Sequence, residues 1–143
     1  MSGKVSLDVG TTLRGASRTV TDVEIALLPA IMGAISPLFH DEPTARAGRM
    51  GGRILYGPAL LGISIALTEP FLHDQVVGLV EITDVRFRRP VKVGDTVTAT
   101  MSIRARCPRD GKPGVLLTID DEIRNQDGEV VLTFERLILI KGD

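Results

Sequence analysis

The sequence predicts one α+β domain over residues 1–143, a helical first half followed by an antiparallel sheet wrapped around one long central helix. Three observations predict it. A chain of 143 residues, 43% hydrophobic and 24% charged, can bury one core and is too apolar for wholesale disorder. Helix start and stop signals are confined to the residues before Pro70. Beyond that point, β-rich runs separated by turns fill the chain.

The elements follow in order. TTLRGASRTV alternates loosely and reads as an edge strand. Thr21 is followed three residues later by Glu24 ahead of an apolar run, a capping box that starts a helix at Asp22. The apolar residues of that helix (Val23, Ile25, Ala26, Leu27, Leu28, Ala30, Ile31, Met32) surround its axis, which predicts burial on most sides. Pro29 inside it predicts a kink or a restart, because an interior proline costs about 3 kcal/mol. Pro37 and Pro43 stop any long helix in SPLFHDEPTARAGRMGG. Pro58 to Glu69 reads as the long central helix, with Pro58 in its first turn and Pro70 at its end. Its small residues Ala59, Gly62 and Ala66 predict close approach of a sheet. Four strands follow at Val76 to Phe87, Thr96 to Cys107, Val115 to Arg124 and Glu129 to Ile140, read as an antiparallel meander. RRPVKVGD, PRDGKPG and NQDG join them, the last with Asp-Gly at a hairpin tip.

Composition excludes several classes. Seventeen basic against eighteen acidic residues give a net charge of −1, without the basic excess of a nucleic-acid binder. Four Phe, one Tyr and no Trp are too few for a base-stacking platform. One cysteine, Cys107, cannot close an internal disulfide and fits a reducing compartment. The N-terminal residues lack the apolar stretch of a signal peptide. The most apolar run, Ile25 to Phe39, is shorter than the about 20 residues of a membrane span and is broken by Pro29, Gly33 and Pro37. The expectation is a soluble, cytoplasmic protein with no membrane or nucleic-acid partner. No His, Cys or carboxylate set has metal-ligand spacing, and no metal or redox cofactor is expected.

Four segments, in order, resemble the MaoC-type hydratases and dehydratases, including the (R)-specific enoyl-CoA hydratases, on the hot-dog fold. These are TVTDVEIALLPAIMG, GAISPLFHDEPTARA, GGRILYGPALLGISIAL and VRFRRPVKVGDTVTATMSI. The last is similar to the family's strand-turn-strand, in which a Pro and a Gly-Asp fix the hairpin. The resemblance implies a tunnel at a dimer interface that binds an acyl-CoA or acyl-carrier thioester, with coenzyme A as part of the substrate. It implies an Asp and a His that activate a water across a 2,3-double bond. It also implies a backbone amide, at the glycine that opens the central helix, polarising the thioester carbonyl.

The second segment departs from the family signature G-D-x-N-P-L-H-x-D-x-x-x-A at decisive places. Gly33, Pro37, Leu38, Asp41 and Ala45 match. The signature Asp is Ala34, the Asn is Ser36 and the His is Phe39. His40 is not the signature His displaced by an insertion, because Pro37, Leu38 and Asp41 remain in register around it. Hydration needs one group to take a proton from water and another to deliver one to carbon, each worth about 10²–10⁴-fold. Ala and Phe do neither.

The candidate site residues are therefore Tyr56, His40 and Asp41 as catalytic groups of a rebuilt site, and Gly57, Ala34, Ser36, Phe39 and Arg53 as substrate-binding positions. Gly57 keeps its amide whatever its neighbours become. Tyr56 stands where the family usually has His, and could donate a proton; the structural reading is a half-buried Tyr. His40 and Asp41 could act as a rotated pair, although adjacent side chains rarely face each other, which favours a capping or solvent-facing His. Ser36 could be a polar ligand or a cap before Pro37. Arg46, Arg49 and Arg53, and separately Arg86, Arg88 and Arg89, could meet phosphates or form solvated faces. His73 with Asp74 reads as a surface pair, and Cys107 as a buried or half-buried structural thiol.

Three functions compete. The first is an acyl-thioester-binding lyase of the hydratase or dehydratase type with a non-standard site. The second is a catalytically silent subunit, paired with another chain of the family, that shapes the acyl tunnel. The third is a hot-dog thioesterase, ranked last because the one helix carboxylate, Glu69, lies at the far end of the central helix. A homodimer or a heterodimer fits the first two.

Overall fold

The computed structural model describes residues 5–142. Five strands, β1 (Thr12–Thr19), β2 (Val76–Phe87), β3 (Thr96–Pro108), β4 (Val115–Arg124) and β5 (Val130–Ile140), form one antiparallel sheet in the order β1-β3-β4-β5-β2. Four helices, α1 (Asp22–Ile31), α2 (Pro37–His40), α3 (Glu42–Ala47) and α4 (Gly57–Thr68), and a 3₁₀ turn at Glu69–Phe71 precede β2. The sheet wraps around α4, as the α+β hot-dog arrangement requires.

Period-two alternation builds the inner face. Val97, Ala99, Met101 and Ile103 of β3 are buried, and so are Val115, Leu117, Ile119 and Ile123 of β4. Helix α4 packs Ala59, Leu60 and Ile63 into one core with Val97, Ala99 and Ile123. Two polar side chains on the same buried face, Ser64 and Thr68, donate to the Leu60 and Ile65 carbonyls at 2.7 and 2.9 Å. Backbone acceptors one turn back make their burial tolerable.

The close approach predicted for the small residues of α4 is made from the other side. Gly62 is exposed with open space around it. Gly15 of β1 is the residue that yields: a Cβ there would overlap the Leu67 carbonyl oxygen, and the β1–β3 register shifts at this point, between Arg14 and Ser17.

The expected four-strand meander is corrected in one connection. Strands β3, β4 and β5 are sequential neighbours, but β2 pairs with β5 at the far edge and not with β3. RRPVKVGD is therefore a crossing and not a hairpin. Val91 anchors it, buried, with its carbonyl accepting from the Leu55 amide at 2.7 Å. The crossing passes the N-terminal end of α4, and this decides where the site forms.

Helix α1 begins as the capping box predicts, with the Thr21 amide donating to Glu24 at 2.8 Å. It neither breaks nor restarts at Pro29, which sits in the last turn, where a single lost backbone bond is tolerable. It ends in a Schellman motif: the Ala34 amide donates to Pro29 O and Gly33 to Ala30 O, with Gly33 at φ +85°. Burial on most sides is corrected as well. Only Ile25 and Pro29 are buried, whereas Val23, Leu27 and Ile31 are 63, 49 and 69% exposed. Among the described residues, these three side chains stay open to solvent.

Candidate functional site

The site lies at the N-terminal end of α4, where the α1–α3 segment and the β2–β3 crossing converge. The turn ending α1 delivers Ala34, half-buried, and Ser36 then caps α2 by accepting from the Leu38 amide at 3.2 Å. Phe39 is buried and meets Tyr56 edge to face, with ring centroids 5.2 Å apart and planes at 65°. Tyr56 precedes Gly57, the first residue of α4. First-turn amides of a helix have no partner within the helix and carry the positive end of its dipole. An aromatic pair thus stands beside a backbone donor.

His40 meets Phe39 edge to face, with ring centroids 6.2 Å apart, and both its nitrogens face backbone groups. Its Nε2 lies 2.9 Å from Ala26 O, and the Ser36 amide approaches Nδ1 at 3.4 Å. Nδ1 also lies 3.2 Å from Ser36 O, so backbone groups hold the imidazole at both nitrogens and it ties α2 to α1. Asp41 caps α3, accepting from the Thr44 amide at 3.1 Å and from its hydroxyl at 2.7 Å. The Thr44 hydroxyl, then its amide, hold the Asp41 carboxyl below the usual range. The structure does not bring His40 and Asp41 together as a pair. Arg53 directs Nε to Glu42 at 2.5 Å and Nη2 to Asp22 at 2.7 Å, fastening the loop before α4 to α3 and to the start of α1. The Arg53 hydrogen bond, then that of Arg46, lowers the Glu42 carboxyl from its ordinary value.

A cavity of about 210 Å³ opens beside Gly57. Leu55, Leu60 and Val91 form its floor, Met50 and Ile54 one wall, and Phe87 with Arg88 and Arg89 the other. Arg89 pairs with Glu129 at 3.0 Å, Arg86 with Asp84 at 3.0 Å and Arg46 with Glu42 at 3.0 Å. A Cβ on Gly51 would lie 3.6 Å from Lys92 Nζ, which brings the loop of the first arginine cluster against the crossing that follows the second. Of the two arginine clusters, only the second lines the cavity, through Arg88 and Arg89. Phe87, Met50 and Ile54 were not among the sequence candidates. The signal was there in VRFRRP, an apolar ring set inside a basic run, but reading the following residues as a hairpin pointed it elsewhere.

A larger hollow of about 490 Å³ lies on the outer face of the sheet, lined by Thr12, Thr100, Asp120, Glu122 and Glu135 among others. Its carboxylates are already matched: Arg104 bridges Asp120 and Glu135, and Arg124 meets Glu122. This is a solvated sheet face. His73 pairs with Asp74 at 3.1 Å on the surface, as the sequence suggests. Cys107 is exposed, against the expectation of a buried thiol, because it lies near the outer end of β3. Among the described residues no group of three or more His, Cys, Asp or Glu could hold a metal, and no helix is long and apolar enough to cross a membrane.

One buried polar feature lies outside the site. Arg136 of β5 and Asp121 of β4 are 1 and 3% exposed and joined by two hydrogen bonds of 2.7 and 2.8 Å. Arg136 also donates to Thr68 Oγ1 at 3.0 Å, under the last turn of α4. Burial pushes the Asp121 carboxyl up, and the Arg136 hydrogen bonds and charge oppose it.

The fold and site define a hot-dog domain with a helix-end amide beside an apolar, basic-rimmed cavity. The sequence profile described as "MaoC like domain" matches residues 5–121, and the chain belongs to that family. Among solved structures, a monoamine oxidase regulatory protein from Archaeoglobus fulgius is 29% identical, with a TM-score of 0.88 over 95% of this chain and 92% of that one. An (R)-hydratase from A. caviae involved in PHA biosynthesis is 27% identical, with a TM-score of 0.77 over 93% of this chain and 96% of that one. The ChsH1-ChsH2 complex from Mycobacterium tuberculosis shares the fold at 18% identity, with a TM-score of 0.77 over 94% of this chain and 98% of that one. No functionally curated protein sequence matches the chain.

Proposed function

We propose that this chain binds an acyl thioester, with the carbonyl on the Gly57 amide, and acts as a proton-transfer-silent member of an enoyl-CoA hydratase or dehydratase assembly. One observation carries the reading: the side chains beside that amide are the apposed rings of Phe39 and Tyr56, while the neighbouring imidazole, His40, is engaged by backbone at both nitrogens. An amide can hold a carbonyl oxygen without any side chain. A phenyl ring cannot supply the general base or acid that water addition needs. The basic rim, with Arg88 and Arg89, suits the phosphates of a coenzyme A carrier. The A. caviae relative is named an (R)-hydratase, and ChsH1-ChsH2 is a complex of two chains, which supports pairing with a chain that supplies the missing groups.

The test follows loss of enoyl absorbance from crotonyl-CoA and longer enoyl-CoAs. The purified chain is expected to be silent alone and active when co-expressed with a family member that carries the Asp and His. The double variant Ala34→Asp/Phe39→His is expected to gain hydration on its own, about 10²-fold or more above the unmodified chain. Turnover by the unmodified chain that is lost in Tyr56→Phe would instead establish a rebuilt catalytic site.

A further inference from the structure

We infer that Phe87 sets the length of acyl chain this site admits, its ring forming a movable wall between Gly57 and the cavity. The inference rests on the acyl-thioester reading above and names the residue that gives that site its selectivity.

The observations are local. A Cβ placed on Gly57 would lie 3.1, 3.2 and 3.6 Å from Phe87 Cζ, Cε1 and Cε2, so the ring occupies the space that glycine leaves. The same two residues line the cavity. The backbone of Phe87 is fixed: it pairs with Leu132 across β5, and the next amide, that of Arg88, donates to Val131 O at 2.8 Å. Its side chain is not fixed to the same degree, being 51% exposed. A ring on two torsions, standing on a rigid strand end, can swing where the floor of Leu55, Leu60 and Val91 cannot, because those side chains are buried in the core. Met50 is the other large apolar wall residue that is exposed, but the side chain closest to a Cβ on Gly57 is that of Phe87. With the ring in place the cavity, at about 210 Å³, falls below the about 300–1,000 Å³ of common ligand sites, which suits a short acyl group.

The experiment is calorimetric titration of the full chain and of Phe87→Ala and Phe87→Leu with coenzyme A and with acetyl-, butyryl-, hexanoyl- and octanoyl-CoA. The unmodified chain is expected to bind butyryl-CoA more tightly than octanoyl-CoA. In Phe87→Ala the octanoyl-to-butyryl affinity ratio should rise at least about tenfold, since each methylene newly buried is worth about fourfold. Phe87→Leu should fall between the two, and coenzyme A alone should bind all three proteins equally. An unchanged ratio in a Phe87→Ala protein that still binds acyl-CoA overturns the inference and leaves the acyl-thioester reading standing. Acyl-CoAs that bind the unmodified chain no better than coenzyme A overturn both.

Discussion

Arg136 and Asp121 show how much a single position can decide. Each stands in an apolar register, Arg136 among Phe134, Ile138 and Ile140 and Asp121 among Leu117, Ile119 and Ile123, all of them buried. The pair with Thr68 lies between two apolar clusters, one built around Val97, Ile123 and Phe134 and the other around Ile103, Leu117 and Ile138. A buried pair is weak evidence for net stability, but breaking it leaves a charge without a partner. Asp121→Asn is expected to destabilise by about 3–5 kcal/mol, whereas Asp121→Leu/Arg136→Met should recover most of that loss. Denaturant unfolding of the three proteins checks it, and additive losses in the double variant would show that the two charges are not coupled. The same logic of position explains the site. Gly57 contributes an amide that substitution around it cannot remove, and the rings of Phe39 and Tyr56 meet next to it.

At the scale of elements, β1 and α4 meet at one point without room for a side chain. Gly15→Ala would drive a Cβ into the Leu67 carbonyl oxygen, a backbone atom held by the helix. Overpacking of this kind costs about 1–3 kcal/mol, and Gly15→Val should cost more, read as a lower denaturation midpoint at unchanged slope. Gly62→Ala, in open space on the same helix, should stabilise by up to about 1 kcal/mol. The start of α1 carries a pH dependence. Burial raises the Glu24 carboxyl, but hydrogen bonds from the Thr21 hydroxyl, Arg18 and the Thr21 and Glu24 amides outweigh it and lower its pKa from 4.5 to about 2. A carboxyl depressed on folding stabilises the native state above its unfolded value, and that contribution disappears as pH falls from about 4.5 toward about 2. Glu24→Gln should therefore be less stable than the unmodified chain at pH 7, with the difference shrinking across that window; equal differences at pH 7 and pH 2.5 would contradict it.

For the whole molecule, the exposed apolar surface decides the expected assembly. Among the described residues, strand β2 is the last in the sheet order, and it carries Val77, Leu79 and Val80, all exposed. A long apolar edge strand invites pairing with another chain. The outer face is polar and salt-bridged, which disfavours stacking of one sheet on another. We propose association edge to edge through β2, with a second copy or with another chain of the family. Val77→Lys/Leu79→Lys should convert the associated species to monomer in sedimentation at unchanged secondary structure. An unaltered assembly would place the interface elsewhere, with the exposed Val23, Leu27 and Ile31 of α1 the next surface to substitute.

Local signals in the sequence determined the helix starts, the strand runs and the turn residues, because capping, alternation and proline act within a few residues of themselves. Thr21 with Glu24, Gly33 after Ile31, and the alternation of Val97 to Ile103 all describe their own surroundings. That Ala34 and Phe39 are apolar was legible for the same reason, since it is a statement about residue types. Only the tertiary structure decided that β2 lies beside β5, that Gly15 is the residue that yields to α4, and that Phe87 is laid against Gly57. It also joined Arg136 to Asp121 and engaged His40, Asp41 and Arg53 in structural bonds. Each of these depends on where a crossing segment passes in space, and such segments carry no periodic pattern: their path is set by which buried faces must be covered, a property of the assembled core.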